Sequence, residues 1–394
     1  MYGGLSRMKT VGIDVAKDLH KVCILNEQKE KLRTFNFKNS HLGLLEFNKI
    51  LGKYGNKFVI GFESSGIYHH CILYHLRQKY KNIAVLNPKR IKAHRKSLGY
   101  EYKTDKIDSY IIADYLKERD LSNNLLPDKY PLLKQLCRTR HKLIQQKTRL
   151  KNRMRGDIHI LFPEYAKCFY NLFCKASLAF LKKHIDPKKI AKLTEQQIRD
   201  ILVKTSKNVS HNHAKKILFA AKESFGIPKE GLDIEIRLAI ENFELLEKQI
   251  ELLEHKIDYQ FEKMFNPLAD VKGLNRIYAA AIIAESGDIN YFKNRDQYYN
   301  FTGFVPRFSQ SGKFESKFNH VNKCGSSYLR HYFFQAAISL TRHNSYFKSL
   351  CIKKHIVEKK SKDEAHVYCA KKLSHIVFKL LKSQTKFCPE KLTC

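Results

Sequence analysis

One short stretch organises the rest of this chain: Tyr102-Lys103-Thr104-Asp105-Lys106-Ile107-Asp108, which is predicted to begin a helix. Thr104 is a favourable N-cap residue. Asp105 and Asp108 are three residues apart, so on a helix both carboxylates project from nearly the same face. Carboxylates held this close repel each other unless a cation lies between them, and Mg²⁺ prefers oxygen ligands. Acidic residues are also favoured in any first helical turn, so the stretch alone leaves both interpretations open.

Five predicted strands precede this helix. The first three are short β-rich segments separated by turns, which indicates an antiparallel meander. A helix capped by Ser40 follows, and a strand, a helix, a strand and the opening helix complete the order. Three strands, helix, strand, helix, strand, helix is the order of a ribonuclease H-like α/β domain. The predicted strands are Val11–Val15, His20–Leu25, Leu32–Phe37, Phe58–Glu63 and Ile83–Leu86.

Two further acids occupy unusual positions in this order. Asp14 lies within the apolar first strand, and Glu63 ends the fourth strand. Burying an acid is costly unless it is paired or ligated, and neighbouring strands lie about 4.8 Å apart. A structural salt bridge explains either acid singly. Together with Asp105 and Asp108, the strand order predicts one metal site at an end of the sheet.

The composition favours a nucleic-acid partner. The chain has 394 residues, with 73 Lys and Arg against 38 Asp and Glu, a net charge of +35. Such a field attracts polyanions; an anionic membrane surface is the alternative. No run of eighteen apolar residues and no signal-peptide core are present, so we expect a cytoplasmic, nucleoid-associated protein. The ten cysteines form no CxxC pair, which argues against a zinc site.

The character of the sequence changes after Pro131. From Lys134 to Arg155 there are nine Lys or Arg and no acid, interspersed with apolar residues at helical spacing. A solvated face is the plain interpretation, but such faces mix both signs of charge, so we predict phosphate contacts. The predicted nucleic-acid-binding residues of this helix are Arg138, Arg140, Lys142, Lys147, Arg149, Lys151, Arg153 and Arg155.

A second long helix is predicted from Leu232 to Phe265. Paired with the basic helix it would form an antiparallel coiled-coil arm, which serves either dimerisation or simple core packing. We therefore predict three domains: the α/β domain at 1–130, a helical nucleic-acid-binding and oligomerisation region at 131–265, and a mostly helical domain at 266–394. Residues 157–229 read as short helices and polar loops, from which no function follows.

The last segment carries several glycine motifs. Val271-Lys272-Gly273-Leu274-Asn275 resembles a helix-hairpin-helix element, with Asn275 where a second glycine is usual. It is followed by Gly303-Phe304-Val305-Pro306, by Ser311-Gly312 and by Lys323-Cys324-Gly325. A lone Ser-Gly pair is ordinarily a turn, so residue chemistry alone does not nominate Ser311.

Taken together, these motifs resemble the DEDD-type transposases of the insertion sequence 110 family, relatives of the Piv-type site-specific DNA invertases. The resemblance runs from about residue 8 to about residue 382. Its N-terminal part rests on Gly12-Ile13-Asp14, Glu63-Ser64-Ser65-Gly66, Asn87-Pro88 and Lys103–Asp108. Its C-terminal part rests on the glycine motifs named above and on Leu329-Arg330.

The resemblance implies a RuvC-like metal site for Mg²⁺ or Mn²⁺ made by Asp14, Glu63, Asp105 and Asp108. It also implies a nucleophilic serine, which falls on Ser311. It implies a homo-oligomer, a dimer or tetramer, in which an element-encoded bridge RNA pairs with donor and target DNA. Lys323 and Arg330 are candidates for holding a phosphate near the serine.

We therefore expect a DNA transposase or recombinase that cuts and rejoins strands. A site-specific invertase of the same family is an alternative that the protein sequence does not separate. A RuvC-like structure-selective endonuclease, in which water attacks the phosphate, is the second alternative. A third class, a non-catalytic RNA-binding chromosomal protein, does not explain the intact quartet of acids.

Overall fold

The computed structural model describes residues 8–64, 67–100, 105–118, 129–205, 211–268, 271–305, 310–311, 314–315, 321 and 325–387. The chain divides into two compact units. The first comprises Met1–Lys129 and Gly287–Asn294, and the second comprises Tyr130–Ser286 and Arg295–Cys394. The three predicted domains stay a prediction.

The first unit is built on a five-stranded mixed sheet of order β3-β2-β1-β4-β5. The first three strands are antiparallel, while β4 is parallel to β1 and β5 is parallel to β4. The predicted α/β order and meander are confirmed, as expected of a ribonuclease H-like domain. The strands are β1 Lys9–Asp14, β2 Leu19–Leu25, β3 Lys31–Lys38, β4 Phe58–Glu63 and β5 Ile83–Leu86.

Helices cover both faces of this sheet because its central strands are apolar on both sides. Ile13 and Phe62 point into one core, with Phe47 and Ile72 from the first two helices. Val59 points into the opposite core, formed with the next two helices. These helices are α1 His41–Gly52, α2 His69–Lys79, α3 Pro88–Ser97 and α4 Asp105–Glu118.

Two 31-residue helices, α5 Pro131–Leu161 and α10 Leu232–Glu262, form the framework of the second unit. Arg140 binds Glu254, Lys147 binds Glu247 and Arg153 binds Glu235. The numbers rise along α5 as they fall along α10, so the two helices run antiparallel. The predicted pairing is therefore present, while the coiled-coil arm and its role in dimerisation stay predictions.

Residues 163–222 pack onto one end of this helix pair. Their core joins Phe180 and Ile198 to Met154 of α5 and Phe243 of α10. The short helices predicted between 157 and 229 are confirmed, and they form a buried core despite their polar sequence. After a 3₁₀ turn at Pro163–Cys168 they are α6 Lys175–Lys183, α7 Pro187–Ile190, α8 Glu195–Val203 and α9 His211–Lys222.

Among the remaining helices is an alanine-rich helix, α11, whose residues from Ala279 to Ser286 are all buried and which packs against α5, α10 and α13. Small side chains allow the neighbouring helices to approach this segment closely. No helix among the described residues is long and apolar enough to span a membrane. The C-terminal helices are α11 Arg276–Ser286, α12 Arg295–Thr302, α13 Ser327–His343, α14 Ser345–Ile352 and α15 Lys362–Ser383.

Candidate active site

Two of the predicted acids end neighbouring parallel strands. Asp14 is the last residue of β1, and Glu63 is the last residue of β4. Ile13 is in register with Phe62, so the next residue of each strand is an acid. Residues in register on neighbouring strands project to the same side of a sheet. Asp14 and Glu63 are therefore adjacent on one face of the sheet.

The face that carries these acids is the one covered by α4. Gly12 and Gly61 precede the acids by two residues and so share their face. A Cβ at Gly12 would overlap the backbone of Ser109 and Ala113, both in α4. Glycine is therefore required here for close approach of helix and sheet. Asp14 and Glu63 project on the side of the sheet where the predicted helical pair lies.

Asp108 is buried, with 6% of its surface exposed. Its Oδ1 accepts a hydrogen bond of 2.5 Å from Nη2 of Arg95, which belongs to α3. The Nε of Arg95 is also buried and has no hydrogen-bond acceptor among the described residues. Asp105 is the first residue of α4, and its side chain lies outside the described part of the structure. Arg95 of the neighbouring helix α3 thus neutralises Asp108 of α4.

A second polar contact also joins α3 to α4. His94 Nε2 is 2.9 Å from Asp114 Oδ2, and Lys29 lies 3.3 Å from the other oxygen of Asp114. Asp114 and His94 are both buried. The sequence patterns above do not predict this contact, although an acid within the apolar run from Ile111 to Leu116 is a signal for it. The Arg95–Asp108 ion pair and the His94–Asp114 contact both hold α3 against α4.

The donor set fits a hard divalent metal. Asp14, Glu63, Asp105 and Asp108 offer only carboxylate oxygens, which Mg²⁺ and Mn²⁺ prefer. Arg95 at Asp108 shows that this buried carboxylate already attracts a cation. Among the described side chains, which leave out Asp105, no group of three or more His, Cys, Asp or Glu is arranged to hold a metal ion. The quartet therefore stays a prediction.

Ser311 lies in the second unit, in a two-stranded ribbon. Its backbone is part of β6 Gln310–Ser311, which pairs with β7 Phe314–Glu315. Ser311 is the register partner of Phe314, so the candidate nucleophile is the last residue of β6. Its side chain is outside the described part of the structure.

The segment that carries Ser311 begins at Gly303 and ends at Gly325, and these two glycines are in contact. Gly303 has φ +74°, a left-handed conformation, and a Cβ on it would lie 2.9 Å from the amide nitrogen of Gly325. The amide of Ser326 donates to the carbonyl of Phe301 at 3.1 Å. The two motif glycines thus allow the backbone at 303 to contact the backbone at 325. A side chain at Gly303 would be strained by the positive φ and would overlap Gly325.

An ion pair between the partly exposed Arg138 and the buried Glu285 lies next to this contact. Nε and Nη2 of Arg138 donate to the two carboxylate oxygens of Glu285, at 2.5 and 2.9 Å. Ser326, the N-cap of α13, donates from Oγ to the same carboxylate at 3.4 Å. Glu285 is 3% exposed. The carboxylate therefore joins α5 and α11 to the start of α13.

Two family models match this chain. A DEDD transposase model of the IS110 family matches residues 11–163. A model of the transposase IS116/IS110/IS902 family matches residues 266–351. The first match contains Asp14, Glu63, Asp105 and Asp108, and the second contains Ser311. The chain belongs to the IS110 family of transposases. No curated protein matches the chain. As an IS110 transposase it acts on DNA, which it cleaves and transfers.

The transposase uses several of its predicted nucleic-acid-binding residues in ion pairs. Helix α5 has nine Lys or Arg and one acid, whereas α10 has nine Asp or Glu and three Lys or Arg. Arg140, Lys147 and Arg153 bind acids of α10, and Arg138 binds Glu285. Lys151 and Arg155 lie over the ring of Phe173 at 5.0 Å. Lys142 and Arg149 are exposed and form no ion pair within the described residues, so the prediction of phosphate contacts is strongest for these two.

The other predicted residues belong to the C-terminal glycine motifs and to α13. Lys323 lies outside the described residues. Arg330 is on α13, with Nη1 2.5 Å from the position of a Cβ on Gly303, so it lies against the base of the Ser311 segment. Gly273 has φ +89°, and the Asn275 side chain accepts from the amide of Ile277 at the start of α11. The helix-hairpin-helix element stays a prediction.

Replacing Arg138 by Met is expected to destabilise the second unit of the transposase by about 3 kcal/mol. The substitution leaves the Glu285 carboxylate buried without its charge partner, and breaking a buried pair typically costs 3–5 kcal/mol. Thermal and denaturant unfolding of the variant measure the loss. The double variant Arg138→Met/Glu285→Leu should regain most of it. Arg276→Met removes an ion-paired arginine that is 49% exposed and should cost less than about 1 kcal/mol; equal losses at both arginines would contradict the buried role.

The stability of the transposase should fall as the pH falls from about 6.5 to about 4. Burial, with nearby His141 and Arg140, lowers the pKa of His331 from 6.5 to about 4. Between pH 6.5 and pH 4 the unfolded chain binds a proton at residue 331 that the folded chain excludes. The contribution of His331 to the free energy of unfolding is therefore complete above about pH 6.5 and is lost as the pH falls to about 4. The loss from this residue is on the order of 2 kcal/mol. The melting temperature of His331→Gln should therefore drop less between pH 7.5 and 5.0 than that of the wild type; parallel drops would refute the assignment.

Proposed function

We propose that this transposase cuts and rejoins DNA strands with a serine nucleophile, Ser311, served by a divalent metal at the four acids. The observation that carries the proposal is the register of β1 and β4. It brings Asp14 and Glu63 side by side on the face covered by the helix of Asp105 and Asp108. Carboxylate oxygens are the ligands that Mg²⁺ and Mn²⁺ prefer, which supports a phosphate-processing metal site at this position.

The acids are proposed to hold Mg²⁺ or Mn²⁺. A metal bound there would supply Lewis acidity, polarising the scissile phosphate and stabilising the departing oxygen. Arg95 neutralises Asp108 from the side of α3 and retains a buried Nε donor with no acceptor among the described residues.

Ser311 is proposed to attack the phosphorus of the scissile phosphodiester. The Oγ–P bond forms, the bond from phosphorus to one sugar oxygen breaks, and that oxygen takes up a proton while the serine proton leaves to a base or to solvent. In the return step a sugar hydroxyl of the new strand attacks the same phosphorus, and Ser311 leaves with its proton restored. One phosphodiester is exchanged for another, so the cycle needs no high-energy cofactor.

The proposed partners are the element's DNA ends, the target DNA and a guiding bridge RNA. The net charge of +35 supports nucleic-acid binding, and Lys142 and Arg149 of α5 are exposed and form no ion pair with any described residue. We propose that the transposase works as a homo-oligomer through its paired long helices. Ser311 and the acids then act either within one subunit or across two.

The proposal is tested by incubating the purified full-length protein with Mg²⁺, labelled DNA that carries the element ends, and RNA transcribed from the flanking non-coding segment. Denaturation should leave a fraction of the DNA strands covalently attached to protein. Proteolysis and mass spectrometry should then map the attachment to the peptide that contains Ser311. Cut strands that carry only free ends would overturn the serine mechanism and favour a hydrolytic, RuvC-like nuclease.

A further inference from the structure

The second unit contains a cavity of about 530 Å³ that the proposed chemistry does not use. Its wall comes from the middle of α5, the start of α11 and the middle of α13. Most of its lining side chains are cationic, aromatic or amide, and Ile144 and Thr148 of α5 complete it. Cavities of this size typically hold one small ligand, and this one is too small for a nucleic-acid duplex.

The cationic side of the cavity is formed by α5. Arg140 binds Glu254 with its Nε at 2.7 Å and is therefore already neutralised. Arg149 is exposed and forms no ion pair within the described residues. An arginine without a carboxylate partner at the rim of a cavity is suited to a phosphate group, which it can bind through two N–H donors.

The inner wall of the cavity is aromatic. The rings of His141 and His331 lie 4.4 Å apart at 69°, and Tyr278 lines the cavity from α11. Burial lowers the pKa values of both histidines, so both rings are uncharged near neutral pH. Neutral aromatic rings are the surfaces on which unpaired bases stack.

Two amides complete the lining. Gln145 approaches His141, with 2.9 Å between its Nε2 and the ring Nε2, and Gln335 projects from α13. Carboxamides match the paired donor and acceptor groups on the edges of bases. An apolar peptide or lipid would leave these amides and Arg149 without hydrogen-bond partners, so the lining disfavours such ligands.

We propose that this cavity binds one unpaired nucleotide of a nucleic acid, with its base against Tyr278 and His331 and its phosphate at Arg149. The ligand is a base that is unstacked from its neighbours. An RNA loop and a melted DNA strand both present such a base, and they share the chemistry that the cavity recognises. The site requires neither the four acids nor Ser311, so it is independent of the strand-exchange proposal.

The test uses the full-length protein and 12-nucleotide single strands that contain one 2-aminopurine, as RNA and as DNA, in EDTA so that no cleavage occurs. Binding should quench the 2-aminopurine fluorescence, whereas the corresponding duplexes should bind without this quenching. Tyr278→Leu and Arg149→Ala should each weaken single-strand binding about tenfold, and Tyr278→Leu should also abolish the quenching. Stronger binding by one of the two single strands would identify RNA or DNA as the source of the base.

Two matched controls keep the test decisive. Tyr259→Leu removes an exposed tyrosine of α10, and Lys248→Ala removes an exposed cation of the same helix. Both should leave affinity and quenching within about twofold of the wild type. If Tyr278→Leu alters folding, as judged by its melting temperature, Gln335→Ala replaces it. Undiminished quenching in folded variants, or equal losses in the controls, would overturn the proposal.

Discussion

Replacing Asp14 by Asn, or Glu63 by Gln, is expected to reduce DNA strand cleavage by at least about 10³-fold, the scale of losing one preorganised electrostatic group at a reacting phosphate. Each change keeps the shape of the side chain and removes its charge. The affinity for DNA should change little, because phosphate binding depends on basic residues elsewhere in the chain. Single-turnover cleavage measures the first effect and fluorescence anisotropy in EDTA measures the second.

Asp14 and Glu63 are better test positions than Asp108. An Asn at residue 108 would leave Arg95 buried without its charge partner, which by itself typically costs 3–5 kcal/mol, so loss of cleavage there would mix chemistry with unfolding. Asp18→Asn is the matched control, since Asp18 is an exposed acid in the turn after β1. Calorimetric titration with Mn²⁺ should show weakened binding only in the two site variants. Cleavage that survives in both site variants would refute the metal site.

The position of the acids could be predicted from sequence because it depends on local patterns. Apolar runs of strand length gave the element order, and that order made β4 a parallel neighbour of β1. Once the strands are aligned, the alternation of side chains places Asp14 and Glu63 on one face. The glycines two residues earlier, Gly12 and Gly61, were a further unused signal, since they mark the face on which a helix packs closely.

The role of the basic helix could not be predicted in the same way. A one-sign run of charge on α5 indicated phosphate binding, yet the acids that neutralise it lie on α10, about 100 residues later in the chain. Both long helices were predicted, but their register, which brings Lys147 to Glu247, follows from packing along their whole length. The same holds for Arg95 and Asp108, which meet only because α3 packs against α4.

Ser311 shows a different limit. Its two-residue strand and the adjoining glycine read as an ordinary turn, and no base, metal ligand or strained strand marks it in the sequence. The structure adds that the segment begins and ends at Gly303 and Gly325, which contact each other. This anchoring explains why the motif glycines flank the serine, while the serine's chemical role rests on the family resemblance and requires a direct test.

Ser311→Ala is expected to eliminate the covalent protein–DNA product and to lower strand exchange by at least about 10³-fold, because an alanine offers no nucleophile. The affinities for DNA and RNA should be unchanged, because the substitution removes one hydroxyl and does not alter the charge of the protein. Protein-linked strands on denaturing gels measure the first effect. Ser309→Ala, two residues away, is the matched control and should retain the adduct.

The products of the two active-site variants separate the possible mechanisms. If the acids and Ser311 serve one reaction, Asp14→Asn and Ser311→Ala must both fail to cut, because hydrolysis by water is not the normal pathway. If Ser311→Ala instead cuts at wild-type rates and leaves free ends, water is the nucleophile, and the acids form a nuclease site. Mixing the two variants adds a further test for an oligomer: recovery of cleavage would mean that one subunit supplies the acids and its neighbour supplies the serine.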